Sequence, residues 1–201
     1  MRKYADFLKQ APDPEAAGIR LERMLNDEFI RRHVDKMPDE MLRTFIHLIS
    51  LSDFFYRFFC RHPQSVTFIN GSQDMDCRKL DAATDIDSLR LFKYGELLKI
   101  TWLDLVNREP YPIILERLSI LADAVIIKPM QLTAKAAYSS PNNHQNMPFC
   151  VFAMGKLGAN ELNFSSDVDL VFVSKNIEDI DGDVKKMIFD TGSRYPGIKM
   201  S

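Results

Sequence analysis

Apolar positions recur at helical spacing along most of the first two thirds of the chain. Asp13 is a good N-cap residue, and Pro14 suits the first helical position. The segment from there to about Asp27 carries Ile19, Leu21, Met24 and Leu25 at helical spacing. A second helix start lies at Pro38-Asp39-Glu40. Met41, Leu42, Phe45, Ile46, Leu48 and Ile49 then define an apolar face. Ser52-Asp53 caps a third helix that holds Phe54, Phe55, Phe58 and Phe59, and His62-Pro63 ends it, because a residue before proline avoids the helical region. Asn70-Gly71-Ser72 predicts a turn. Thr84 or Asp85 caps a long helix that runs to about Asn107, with Leu89, Phe92, Leu98 and Leu105 inside, and Pro110 breaks it. Another helix is predicted from about Ile113 to Tyr138. Pro129 falls within it and should kink it, at a cost of about 3 kcal/mol unless packing compensates.

The polar, turn-rich run Ser139 to Pro148 marks a change of pattern. Phe149 to Ala153 suits a short buried strand. Val168 to Val173 is β-branched and aromatic and predicts a second strand. Asp181-Gly182-Asp183 predicts a turn, and Val184 to Phe189 the start of a helix. The fold class is α+β: a mostly helical region over residues 1–140, then a small α/β segment over 148–201.

Composition narrows the function classes. The chain is 46% hydrophobic and 27% charged, with a formal net charge of -2. That balance argues against a protein that coats nucleic acid or lies on a membrane surface. No apolar run has the length of a membrane span, and the N-terminus has no signal-type apolar core. A cytoplasmic protein is expected, with neither nucleic acid nor membrane as partner. Cys60, Cys77 and Cys150 are widely spaced, which predicts reduced, buried thiols rather than a disulfide framework.

The candidate chemistry lies in GKLGANELNFSSDVDLVF, Gly155 to Phe172. Five Asp-x-Asp pairs occur in the chain, so the pair alone says little. Asp167/Asp169 is the one that leads into an apolar strand. Side chains alternate along a strand, so both carboxylates would point the same way, roughly 7 Å apart at the backbone. Such a pair repels itself unless a cation lies between, and a hard oxygen site suits Mg²⁺ with substrate phosphates. Gly155 and Gly158 would let backbone approach a ligand closely. The N–H groups that follow could cradle phosphate, and Ser165 and Ser166 could add donors. A solvated turn at the start of a strand is the competing reading of the same residues.

The glycine after an apolar strand, with Asp-x-Asp twelve residues on, resembles the nucleotidyltransferase superfamily that includes DNA polymerase beta. The fuller string GKLGANELNFSSDVDL is similar to the glutamine synthetase adenylyltransferase family, as are ISLSDFFYRFFCRHP (Ile49 to Pro63), Leu89 to Phe92, the helix through Trp102, and LERLSILADAVI (Leu115 to Ile126). The resemblance covers most of residues 40–190. It implies a helical region followed by a partial nucleotidyltransferase domain at 148–201, closer to the AMP-removing half of a bifunctional enzyme. It also implies glutamine synthetase as partner and ATP, ADP and phosphate as small-molecule partners. By position, Asp167 and Asp169 would be catalytic and hold Mg²⁺. Gly155 would shape the phosphate turn, with Gly158, Lys156, Ser165 and Ser166 on the nucleotide side. Lys156 stands where the superfamily usually has serine or glycine, and a surface lysine is the plain alternative. Glu161 and Asn163 fit the string and would cap the short helix or brace the loop.

One expected part is missing. The superfamily uses a third carboxylate on a later strand, within a V-D-x-R-L-R-P type of stretch, and no such stretch follows Asp169. Asp181, Asp183 and Asp190 fall in a turn or a helix instead. The expectation is a truncated chain with weak or absent turnover, since a two-metal site needs that acid, and a sheet with an open edge. Two alternatives stand beside the enzyme reading: an inactive remnant that binds nucleotide or a protein partner, and an unrelated helical interaction protein. No Walker A loop, calcium loop or histidine metal pair occurs, and the phenylalanine cluster is expected in the core.

Overall fold

The computed structural model describes residues 2–69, 75–137 and 149–174. The predicted turns at 70–72 and 181–183, the linker at 139–148 and the helix start at 184–189 lie outside the described residues. The chain divides into two compact units, residues 1–74 with 98–108, and residues 75–97 with 109–201.

The first unit is helical. It contains α1 (Ala5–Lys9), α2 (Pro14–Met24), α3 (Glu28–Val34), α4 (Asp39–Leu51) and α5 (Asp53–Arg61), then a 3₁₀ segment at Pro63–Phe68. The predicted caps form: the Asp13 carboxylate accepts from Ala16 N at 2.9 Å, and Ser52 Oγ from Phe55 N at 3.2 Å. α2 packs on α4 and α5, and α3 packs on the 3₁₀ segment. Leu21, Met24, Ile30, Val34, Phe45, Ile46, Ile49 and Phe59 fill the core. Each such side chain contributes about 1.5–3 kcal/mol by leaving water. Phe55, Phe58 and Phe59 are buried as expected, whereas Phe54 is 43% exposed.

The pattern does not predict α3. α2 ends at Met24, and Asp27 begins a new helix by accepting from Ile30 N at 3.0 Å. Glu28 in the first turn of α3 and Arg31, Arg32 and His33 in its last turn complement the helix dipole.

The second unit holds α6 (Cys77–Ala82), residues 86–97 of α7 (Ile86–Trp102), α8 (Tyr111–Ala137), β1 (Phe149–Ala153), α9 (Gly155–Gly158) and β2 (Leu170–Ser174). Asp85 is the α7 cap: its carboxylate accepts from Ser88 N at 2.7 Å, while Ser88 Oγ accepts from Asp85 N at 3.2 Å. After Trp102 the chain winds as a π-helix over Leu103–Asn107, and Arg108 stops it in the left-handed region at φ 50°. α8 runs as helix on both sides of Pro129. The buried Lys128 sends Nζ to the Asp81 carbonyl at 3.0 Å, which ties α8 to α6.

β1 and β2 pair antiparallel, with Ala153 opposite Leu170 and Phe149 opposite Ser174. The second strand thus starts two residues later than the pattern predicts. The chain is mostly helical α+β, and its sheet has two strands among the described residues. No described helix is long and apolar enough to cross a membrane. The cysteines correct one expectation: Cys60, Cys77 and Cys150 are free but exposed rather than buried. Cys60 and Cys77 sit on short helices with an outer face, and Cys150 lies on the open face of the hairpin.

Candidate functional site

β1 delivers the chain to Met154 in extended conformation, φ -107° and ψ 171°. Gly155 then takes φ 55°, a left-handed conformation that costs glycine little and other residues about 1–2 kcal/mol. The single turn of α9 follows. As at any helix start, the N–H groups of Gly155, Lys156 and Leu157 have no intrahelical acceptor. At Gly158 the constraint is different. A Cβ there would lie 2.4 Å from the Ala153 carbonyl oxygen. The space left by its missing side chain is filled by the end of β1, so Gly158 permits the close packing of helix on strand.

The loop beyond α9 is held at several points. Asn160 is left-handed at φ 60°, which asparagine tolerates better than most residues. Glu161 N donates to the Lys156 carbonyl at 2.7 Å. Leu157 and Leu162 are buried. Leu162 N donates to Ser119 Oγ, on α8, at 3.1 Å. Asn163 and Ser166 then close on each other. Ser166 Oγ donates to Asn163 Oδ1 at 2.7 Å, Asn163 N donates to Ser166 Oγ at 3.3 Å, and Ser165 N donates to Asn163 Oδ1 at 3.1 Å. Asn163 therefore braces the loop, while the Glu161 side chain is exposed and makes no such bond.

The two aspartates come next, just ahead of β2. Asp167 and Asp169 are exposed and Val168 between them is half-buried, an alternation that leaves both acids on the open side. Met154 N donates to the Asp169 carbonyl at 2.9 Å, which extends the hairpin ladder one step past Ala153 and Leu170. This bond brings the carboxylate back over the glycine turn. Asp169 Oδ2 lies 3.8 Å from where a Cβ on Gly155 would stand.

Gly155 and Asp169, fourteen positions apart in the sequence, are thus neighbours in space. Lys156 and Ser165 are exposed, and Ser166 is half-buried with its hydroxyl proton committed to Asn163. Neither aspartate accepts a hydrogen bond or pairs with a cation among the described residues. That leaves their oxygens free for a hard divalent ion, for which carboxylate oxygen is the right donor. Among the described residues no group of three His, Cys, Asp or Glu comes together. The pattern gives no role to Ser119. Its one signal is a serine set among Leu115, Leu118 and Leu121 on a helix face that is otherwise apolar.

Comparison with known proteins follows the same segment. The family model for glutamate-ammonia ligase adenylyltransferase matches residues 42–191. A bifunctional glutamine synthetase adenylyltransferase/adenylyl-removing enzyme of Shewanella woodyi is 30% identical over 169 residues, covering 74% of this chain and 17% of the relative. The enzyme of the same description from Psychromonas ingrahamii is 32% identical over 146 residues, 62% of this chain and 15% of the relative. That of Alteromonas mediterranea is 37% identical over 91 residues, 43% of this chain and 9% of the relative. The chain therefore spans less than a fifth of the length of these relatives.

Proposed function

Because this chain belongs to the glutamate-ammonia ligase adenylyltransferase family, we propose that its glycine turn and hairpin form the nucleotide end of a site that moves AMP to or from glutamine synthetase. One observation carries the proposal: the Asp169 carboxylate stands over the left-handed Gly155 turn, with Oδ2 3.8 Å from the Cβ position. A carboxylate and a set of unpaired helix-start N–H groups at one turn provide for a cation and for the phosphates it would accompany.

The roles follow from position. Asp167 and Asp169 hold Mg²⁺. Bound there, the cation supplies charge neutralisation at phosphate oxygens and orients the group to be transferred. Gly155 keeps the turn open so that phosphate can approach backbone. The N–H groups of Gly155, Lys156 and Leu157 would donate to that phosphate, and Gly158 fixes α9 against β1. Lys156 and Ser165 border the phosphates. Ser166 acts mainly through Asn163, which sets the loop that delivers Asp167. The substrates are ATP for AMP addition, or phosphate for phosphorolytic removal that yields ADP. A cytoplasmic setting fits both.

A second reading is a chain that binds Mg²⁺–nucleotide without turnover. The lack of a third metal-binding side chain near the pair, among the described residues, favours it. Two assays separate the readings. Adenylylated glutamine synthetase is incubated with the chain, phosphate and Mg²⁺, and ADP is measured; unmodified synthetase is incubated with ATP and scored for AMP incorporation. Turnover that disappears in Asp167→Asn and Asp169→Asn supports the first reading. Binding of Mn²⁺ that both variants lose, without turnover, supports the second. If wild-type chain shows neither turnover nor cation binding, both readings fail.

A further inference from the structure

We infer that Ser119 of α8 is a positioning residue for the carboxylate loop: its buried hydroxyl holds the 159–166 segment in the register that presents Asp167 and Asp169. The inference rests on the metal role proposed for those two aspartates.

Ser119 has no solvent exposure, 0%. A buried hydroxyl needs partners, and this one has two of opposite sense. Oγ donates to the Leu115 carbonyl four residues back, at 2.9 Å. That bond consumes its only proton, as is usual for a serine inside a helix. The oxygen can then act towards the loop only as an acceptor, and it accepts from Leu162 N at 3.1 Å. The direction of both bonds is fixed by chemistry.

The consequence is local. Leu162 N belongs to a segment without regular structure, where neither a helix nor a strand can satisfy it. Leu162 itself is buried, so the amide has no water to turn to. The next residue, Asn163, carries the bonds to Ser165 and Ser166 that lead directly into Asp167. Ser119 therefore fixes one end of the six-residue span 162–167, whose other end is the first aspartate. Met154 N fixes Asp169 separately, through the hairpin. The relative placement of the two acids depends on both anchors.

The test is Ser119→Ala, with Leu118→Ala as a control from the same helix. Leu118 is buried but makes no bond to the loop, so its truncation loosens packing without releasing Leu162 N. Mn²⁺ affinity of the full chain is measured by titration at a temperature where circular dichroism shows every variant folded, alongside amide exchange. Ser119→Ala should weaken Mn²⁺ binding about tenfold and remove protection across 159–167, because an unpaired buried N–H drives the loop to rearrange. Leu118→Ala should leave the dissociation constant within about twofold of wild type. Equal Mn²⁺ affinity in Ser119→Ala and wild type overturns the inference and leaves the metal role standing. Equal losses in Ser119→Ala and Leu118→Ala overturn it too, since they would report packing alone. If wild type binds no Mn²⁺, the metal role fails. Exchange then decides the anchor by itself: protection lost only at 159–167 in Ser119→Ala upholds it, and unchanged protection removes it.

Discussion

Asp169 Oδ2 lies 3.8 Å from the point where a Cβ on Gly155 would sit, which is ordinary van der Waals contact. Steric exclusion is therefore not what requires glycine at 155. The requirement is the backbone, at φ 55°. Gly158 has the opposite balance, with ordinary φ and a Cβ position only 2.4 Å from the Ala153 carbonyl oxygen. Gly155→Ala should cost about 1–2 kcal/mol through left-handed strain alone. Gly158→Ala must displace backbone and should cost about 2–3 kcal/mol or more, as an overpacked site. Amide exchange in β1 and β2 gives the local free energies. Gly155→Asn should recover part of the Gly155→Ala loss, because asparagine enters this region more easily. A larger loss at 155 than at 158 would contradict this account of the two glycines.

Arg20 shows how a single side chain can close a helix in the first unit. Nη1 donates to the Ile49 carbonyl at 2.7 Å and to the Ser50 carbonyl at 3.2 Å, at the open end of α4. Nη2 reaches Asp53 at 3.5 Å, and the guanidinium lies 5.2 Å from the Tyr56 ring centre. The Asp53 pair is half-exposed and contributes little by itself. Reaching both carbonyls through Nη1 and Asp53 through Nη2 at once needs the planar fork. Arg20→Lys keeps the charge but not the fork, and should cost the first unit about 1 kcal/mol. Thermal denaturation at low and high salt checks this: a loss that persists in high salt identifies the carbonyl bonds, and one that vanishes identifies the ion pair instead.

The sequence made legible what is settled within a few residues. Asp13, Ser52 and Asp85 cap helices because their short side chains reach amide groups three residues ahead. Asp27 does the same, yet the apolar spacing up to Leu25 reads as one helix that ends there, so the start of α3 is hidden. The onset of β2 is misplaced for a related reason. Val168 has strand character, but its neighbours pair with nothing until Asp169 takes the Met154 amide. The glycine turn and Asp-x-Asp were visible as a motif, and β1 with β2 explains why they meet. The support under the loop was not visible. Ser119 and Leu162 are 43 residues apart, and only folding tells which amide a serine in an apolar face will accept from.

The N-terminal segment is fastened by a titratable pair, which makes the first unit pH-dependent in both directions. Tyr4 OH donates to Asp35 Oδ1 at 2.7 Å, and Lys3 Nζ reaches the same oxygen at 3.0 Å. Burial, and then the bond to Asp35, push the Tyr4 phenol up from 10.0 to about 12. A raised folded-state value means that this stabilisation is whole below pH 10.0 and is lost as pH climbs towards about 12. The Asp35 carboxyl is held below its ordinary 3.8, chiefly by the Tyr4 hydrogen bond and then by Lys3. Its contribution is present above pH 3.8 and is lost as pH falls further. Tyr4→Phe should remove a phenolate step near pH 12 from the absorbance titration and flatten the alkaline loss of stability. If Tyr4→Phe leaves the phenolate steps above pH 10.0 unchanged, the bond to Asp35 is not maintained in solution.

Ser65 offers the reverse kind of test, a substitution that should improve the protein. It lies in the 3₁₀ segment after α5, against which α3 packs, and is 1% exposed. Its backbone N donates to the His62 carbonyl at 2.8 Å, but its Oγ has no hydrogen-bond partner among the described residues. Among the described residues nothing replaces the water that this hydroxyl loses on folding. Alanine at this position keeps the backbone bond and removes the orphan oxygen, leaving a void smaller than a methyl group. The balance favours alanine, since an unpaired buried hydroxyl costs about 1–3 kcal/mol and the lost contacts of one oxygen cost less. Ser65→Ala should therefore raise the denaturation midpoint of the first unit by about 1 kcal/mol of stability. A neutral or lower midpoint would mean that the hydroxyl is satisfied in solution, for which a buried water is the physical candidate. Exchange at Ser65 and its neighbours distinguishes the cases, because a lost water bridge would loosen the 3₁₀ turn while removal of an orphan would tighten it.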